Sequence, residues 1–100
     1  MEKGIDMNYA YNILVTLLAT RAANSLGLTL GKKKVDRLVR EATEIVVMDW
    51  CEFDYDKDAQ WLELIASVEA GSDDGKNLVS AIISQMNFMG TLVQVERLAA

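Results

Sequence analysis

The stretch Asp49–Trp61, DWCEFDYDKDAQW, holds five carboxylates and four of the chain's seven aromatic residues. Asp54, Asp56 and Asp58 alternate as D-x-D-x-D, the opening of a calcium loop whose alternate residues supply oxygen ligands. Counted from Asp54, the sixth position is Ala59, where that loop needs glycine for its sharp turn. The twelfth is Ile65, where it needs a bidentate glutamate, and Glu63 stands close but out of register. No metal site is expected here. Asp56 or Asp58 instead suits the start of a helix, where a carboxylate accepts free amides and meets the positive end of the dipole.

The aromatic residues admit two readings. Trp50, Phe53 and Trp61 can wedge a corner between two helices, because buried rings dominate small cores. Alternatively, Trp50, Phe53, Tyr55 and Trp61 with Asp54, Asp56 and Asp58 form a patch for a partner with basic and apolar groups. Tryptophan and tyrosine are frequent interface anchors.

A second cluster is cationic. Six of the ten basic residues lie between Arg21 and Arg40. Lys32, Lys33 and Lys34 open a helix, with Arg37 and Arg40 following. This order opposes the helix dipole by roughly 0.3–1 kcal/mol per charge. The pairs Asp36–Arg40, Arg37–Glu41 and Arg40–Glu44 are spaced to offset it. Such an end could hold a phosphate, a nucleotide or another small anion, although LTLGKKKV lacks the spacing of a phosphate-binding loop.

Catalysis finds little support. The chain has no histidine and a single cysteine, Cys51. Asp49 and Glu52 flank that thiol, and their negative charge disfavours the thiolate nucleophile. No carboxylate pair stands apart from the others. The sequence therefore points away from an enzyme and calls for no cofactor. One cysteine also excludes an internal disulfide and a cysteine-rich zinc centre.

Several bounds follow from composition. One hundred residues, half of them apolar and a quarter charged, fit one helical domain spanning residues 1–100. A net charge of −5 argues against nucleic-acid binding. The opening MEKGIDMNYA lacks a signal-peptide layout. The charge-free run 7–20 is too short for a bilayer, and polar residues interrupt the longer run 77–95. A cytoplasmic protein without a membrane segment is the expectation.

Helical periodicity organises the chain. The first helix is expected from a cap at Asp6 to about Leu26, stopped by Gly27. The second covers about Lys32–Phe53, with Val35, Leu38, Val39, Ala42, Ile45, Val46, Trp50 and Phe53 on one face. The third runs from about Asp58 to Ala70 and ends at Gly71. Ser72 caps the fourth, which carries Asp73 and Asp74 in its first turn and an apolar stripe from Leu78 to Val93. With no strand alternation and short links, the expected architecture is a small antiparallel bundle of four helices.

The first and last of these helices are nearly free of charge, yet each has a polar side. Asn8, Asn12, Thr16 and Thr20 mark it on one, and Ser80, Ser84, Asn87, Gly90 and Thr91 on the other. A solvent-facing side normally carries lysine and glutamate. Small uncharged groups can instead pack against another helix, so a homo-oligomer, a dimer or higher, is expected through these stripes. The leading functional expectation is a small acidic helical protein that binds another protein. An inhibitor, adaptor or assembly chaperone of a bacterium or its phage suits the size. The alternative is an oligomer that sequesters a small anion or nucleotide at the basic end of the second helix.

Overall fold

The computed structural model describes residues 2–51 and 57–99, and the side chains of residues 9–50 and 61–98. Among these residues the fold is all-α, with five helices: α1 (Glu2–Ser25), α2 (Lys33–Cys51), α3 (Lys57–Glu69), α4 (Asp73–Phe88) and α5 (Thr91–Ala99).

Local chemistry sets most of the boundaries. At the end of α1, Leu28 donates its amide to the Ala23 carbonyl at 2.8 Å and Gly27 donates to Asn24 at 3.1 Å. This pair of bonds requires a left-handed residue between helix and link, and Gly27 takes it at φ 74°. The same device ends α3, where Ser72 donates to Ser67 and Gly71 to Val68. Ser72 then serves the next helix: its hydroxyl accepts the Gly75 amide at 3.1 Å. Asp73 and Asp74 follow in the first turn of α4, as expected. At the other end of the chain, α1 already begins at Glu2, so Asp6 lies inside the helix and does not start it.

The expectation of four helices is corrected by Gly90. That residue adopts φ 78° and donates its amide to the Asn87 carbonyl at 3.2 Å, which stops α4. The chain then turns through 87° into α5. A straight helix would have carried Val93 inward on the same stripe as Ile82 and Met86. After the bend, Thr91 and Val95 are buried and Val93 faces solvent. Burial of α5 against α2 and α4 offsets the broken helix.

One apolar core joins all five elements. Leu14, Leu18 and Ala22 of α1 meet Val35, Val39, Ala42, Val46 and Val47 of α2. Trp61 and Val68 come from α3, Leu78, Ile82 and Met86 from α4, and Val95 from α5. α1 packs against α2, α3 and α4, while α2 reaches α4 and α5. α1 and α3 run in the same direction. Tyr11 stacks edge-on against Trp61 near their N-terminal ends, and Arg21 and Ser25 share a groove with Val68 and Gly71 near their C-terminal ends. Among the described residues, no single helix is long and apolar enough to cross a membrane.

Candidate binding surfaces

The acidic–aromatic stretch divides between core and surface. Trp61 is only 4% exposed. Its ring lies 5.3 Å from that of Tyr11 at 61°, an edge-to-face contact inside the bundle. Trp50, on the last turn of α2, remains 46% exposed. Phe53, Asp54, Tyr55, Asp56 and the side chain of Asp58 lie outside the described residues. Trp61 therefore contributes to packing, and among the described members of this stretch Asp49 and Trp50 are seen at the surface. Among the described residues, no group of three metal-ligating side chains is close enough to hold an ion.

At the basic end of α2, two cations already have partners. Lys32 donates from Nζ to the Leu98 carbonyl at 3.1 Å, tying the start of α2 to the end of α5. That placement brings a positive charge to the negative end of the α5 dipole. Arg40 pairs through Nε with Glu44 at 3.2 Å and donates from Nη2 to the Asn12 side chain. Asp36 does not pair with Arg40; its carboxylate turns back to accept the Gly31 amide at 2.8 Å. Lys33, Lys34 and Arg37 are exposed.

The uncharged stripes split as well. Asn12, Thr16 and Thr20 lie on the outer face of α1, as do Ser80, Ser84 and Asn87 on α4. The side chain of Asn8 is outside the described residues. Thr91 is buried because the bend at Gly90 rotates it off the outer face. On α1, Asn12, Thr16 and Thr20 alternate with Tyr9, Ile13 and Leu17 along a shallow groove of about 450 Å³, closed at one side by Glu69 of α3.

Sequence reasoning missed the most exposed aromatic ring among the described residues. Phe88 ends α4 with 86% of its surface accessible, and Met89 (39%) and Val93 (53%), which follow it through the α4–α5 turn, are exposed as well. All three belong to the corner where the chain bends through 87° from α4 into α5. The available signal was Gly90: a stop there, as at Gly27 and Gly71, would have placed Phe88 at a helix end.

No protein-family model, curated protein or solved structure matches this chain.

Proposed function

We propose that the protein acts by binding another protein through the corner made by Phe88, Met89 and Val93. The exposure of Phe88 carries this reading: its ring is 86% accessible at a structured helix end, where it can insert into a partner's apolar pocket. Aromatic residues and methionine are enriched at the centres of interfaces. The backbone at the corner is fixed by the Gly90 turn, so little ordering cost opposes docking there. The chain's net charge of −5 favours a partner that offers an apolar pocket with a basic rim.

Affinity purification with wild type and a Phe88→Ala, Val93→Asp variant tests this. The partner recovered with wild type should bind it directly in isolation, and the variant should bind at least about tenfold more weakly while melting like wild type. An Arg37→Glu variant on the outer face of α2 should bind normally. Equal binding by the corner variant would overturn the reading.

Self-association is the second reading, supported by the groove on α1. Over Tyr9–Thr20 the α1 side of that groove carries no charge, and Glu69 at its edge is the one charged residue in the lining, so the uncharged α1 faces of two copies could meet there. Light scattering after gel filtration would give a mass above one chain, and Thr16→Glu should return it to that of a monomer. A monomer at high micromolar concentration rejects this second reading alone.

A further inference from the structure

Arg21 is the only charged residue between Asp6 and Lys32, and Lys76 is the only one between Asp74 and Glu96. The fold brings these two cations to one cavity of about 280 Å³, formed where α1 and α4 cross the end of α3, with Asp73 and Asp74 preceding Lys76 in α4 but outside the lining. No carboxylate lines that cavity. Among the described residues neither cation has an ion pair; Arg40–Glu44 is the only pair there. The hydroxyls of Ser25 and Ser80 also line it and make no hydrogen bond among the described residues. Val68, Val79 and Ile83 supply the apolar part of the wall. Gly71 contributes no side chain to the wall, and Gly75 lets α4 lie close against α3 at its edge.

Arg21 and Lys76 are both exposed, and two cations brought to one cavity with an apolar wall and no carboxylate in its lining attract a small anion as counter-charge. We infer that this cavity binds a small organic anion, a carboxylate or phosphate monoester carried on a compact apolar group. Arg21 provides a planar fork that matches either head group, and Lys76 adds a point charge. Ser25 and Ser80 can each donate a further hydrogen bond. The apolar remainder rests on Val68, Val79 and Ile83. The volume lies just below the roughly 300–1,000 Å³ of ordinary ligand pockets, which limits the ligand to a small molecule. This site is separate from the lysines that open α2 and from the Phe88 corner.

Phenyl phosphate is a suitable probe, titrated at constant ionic strength and followed by the backbone amide signals of Gly71, Gly75 and Ser80. Saturable shifts centred on those amides are expected, with a dissociation constant at or below about 1 mM. Arg21→Gln with Lys76→Gln should weaken binding by at least roughly tenfold, as loss of charge-assisted hydrogen bonds does. Benzyl alcohol, which keeps the ring and lacks the charge, should bind at least about tenfold more weakly than phenyl phosphate. In a second variant, Ser80→Glu places a carboxylate in the cavity itself, and it should block the probe and raise the melting temperature. The inference is overturned by an absence of saturable shifts, by unchanged binding in the double variant, or by equal binding of benzyl alcohol. Shifts confined to Lys32–Lys34 would overturn it as well.

Discussion

Gly75 of α4 meets Val68 of α3 backbone to backbone: a Cβ added to Gly75 would stand 2.9 Å from the Val68 Cα and 3.4 Å from the Ser67 carbonyl oxygen. Neither atom can swing aside as a side chain would. The two helices must separate to admit a methyl group, and Leu78 and Val68 of the core would move with them. Overpacking of this kind costs about 1–3 kcal/mol, against a gain of up to about 1 kcal/mol in helix propensity. Gly75→Ala should therefore lose about 1–2 kcal/mol in urea unfolding. Ser84→Ala, on the exposed face of the same helix, should change stability by no more than about 0.5 kcal/mol. A Gly75→Ala variant as stable as wild type would show that the helices part without cost.

The break at Gly90 sets two effects in competition. A residue with a Cβ pays about 1–2 kcal/mol in the left-handed conformation that Gly90 holds at φ 78°. It could escape that strain by continuing α4 as one helix. Doing so would pull Thr91 and Val95, both buried, out of the core, and exposing a valine alone costs about 1.5 kcal/mol or more. The bend should therefore persist in Gly90→Ala. The expected result is a loss of about 1 kcal/mol by thermal or urea unfolding, with no rise in helical circular dichroism. A stronger helical signal would mean that the straight helix wins.

How far the sequence revealed this fold depends on the range of the forces involved. Gly27, Gly71 and Ser72 act within a few residues of themselves, so the end of α1 and the link between α3 and α4 fall close to where the sequence places them. Gly90 is different. The apolar rhythm continues through it, and whether it sits inside a helix or ends one is decided by what α5 can bury against α2. The candidate surfaces follow the same division. Trp50 and Trp61 look equivalent in the sequence, and only the Tyr11 ring, fifty residues from Trp61, separates core from surface. Lys32 reads as a free cation until Leu98, 66 positions away, offers its carbonyl. Arg21 and Lys76 are each unremarked in their own helices and acquire meaning where the fold places them around one cavity.

Two buried threonines provide a matched pair. Thr43 of α2 donates its hydroxyl to the Val39 carbonyl at 2.8 Å. Thr91, at the start of α5 and 2% exposed, makes no side-chain hydrogen bond among the described residues. A buried hydroxyl without a partner costs about 1–3 kcal/mol in desolvation, and replacing it with an apolar group of the same shape recovers part of that. Thr91→Val should therefore stabilise the protein, by about 1 kcal/mol or several degrees in melting temperature. Thr43→Val exchanges a satisfied bond for a methyl group and should be neutral or lose up to about 1 kcal/mol. If both variants shift stability in the same direction by the same amount, the hydroxyl of Thr91 has a partner in solution.

The two tryptophans separate packing from surface. Trp61→Ala removes a buried ring and its edge-to-face contact with Tyr11, and losses of about 3–5 kcal/mol accompany such truncations. For a domain whose total stability is about 5–15 kcal/mol, that is a large share. Trp50→Ala, at a half-exposed position, should cost less than about 1 kcal/mol. Because truncation at residue 61 endangers folding, quenching of single-tryptophan variants gives the cleaner comparison. In Trp61→Phe, the remaining Trp50 should be quenched readily by acrylamide in the folded state. In Trp50→Phe, the remaining Trp61 should be protected until urea unfolds the chain. Equal quenching of the two folded variants would return Trp61 to the surface, beside Trp50.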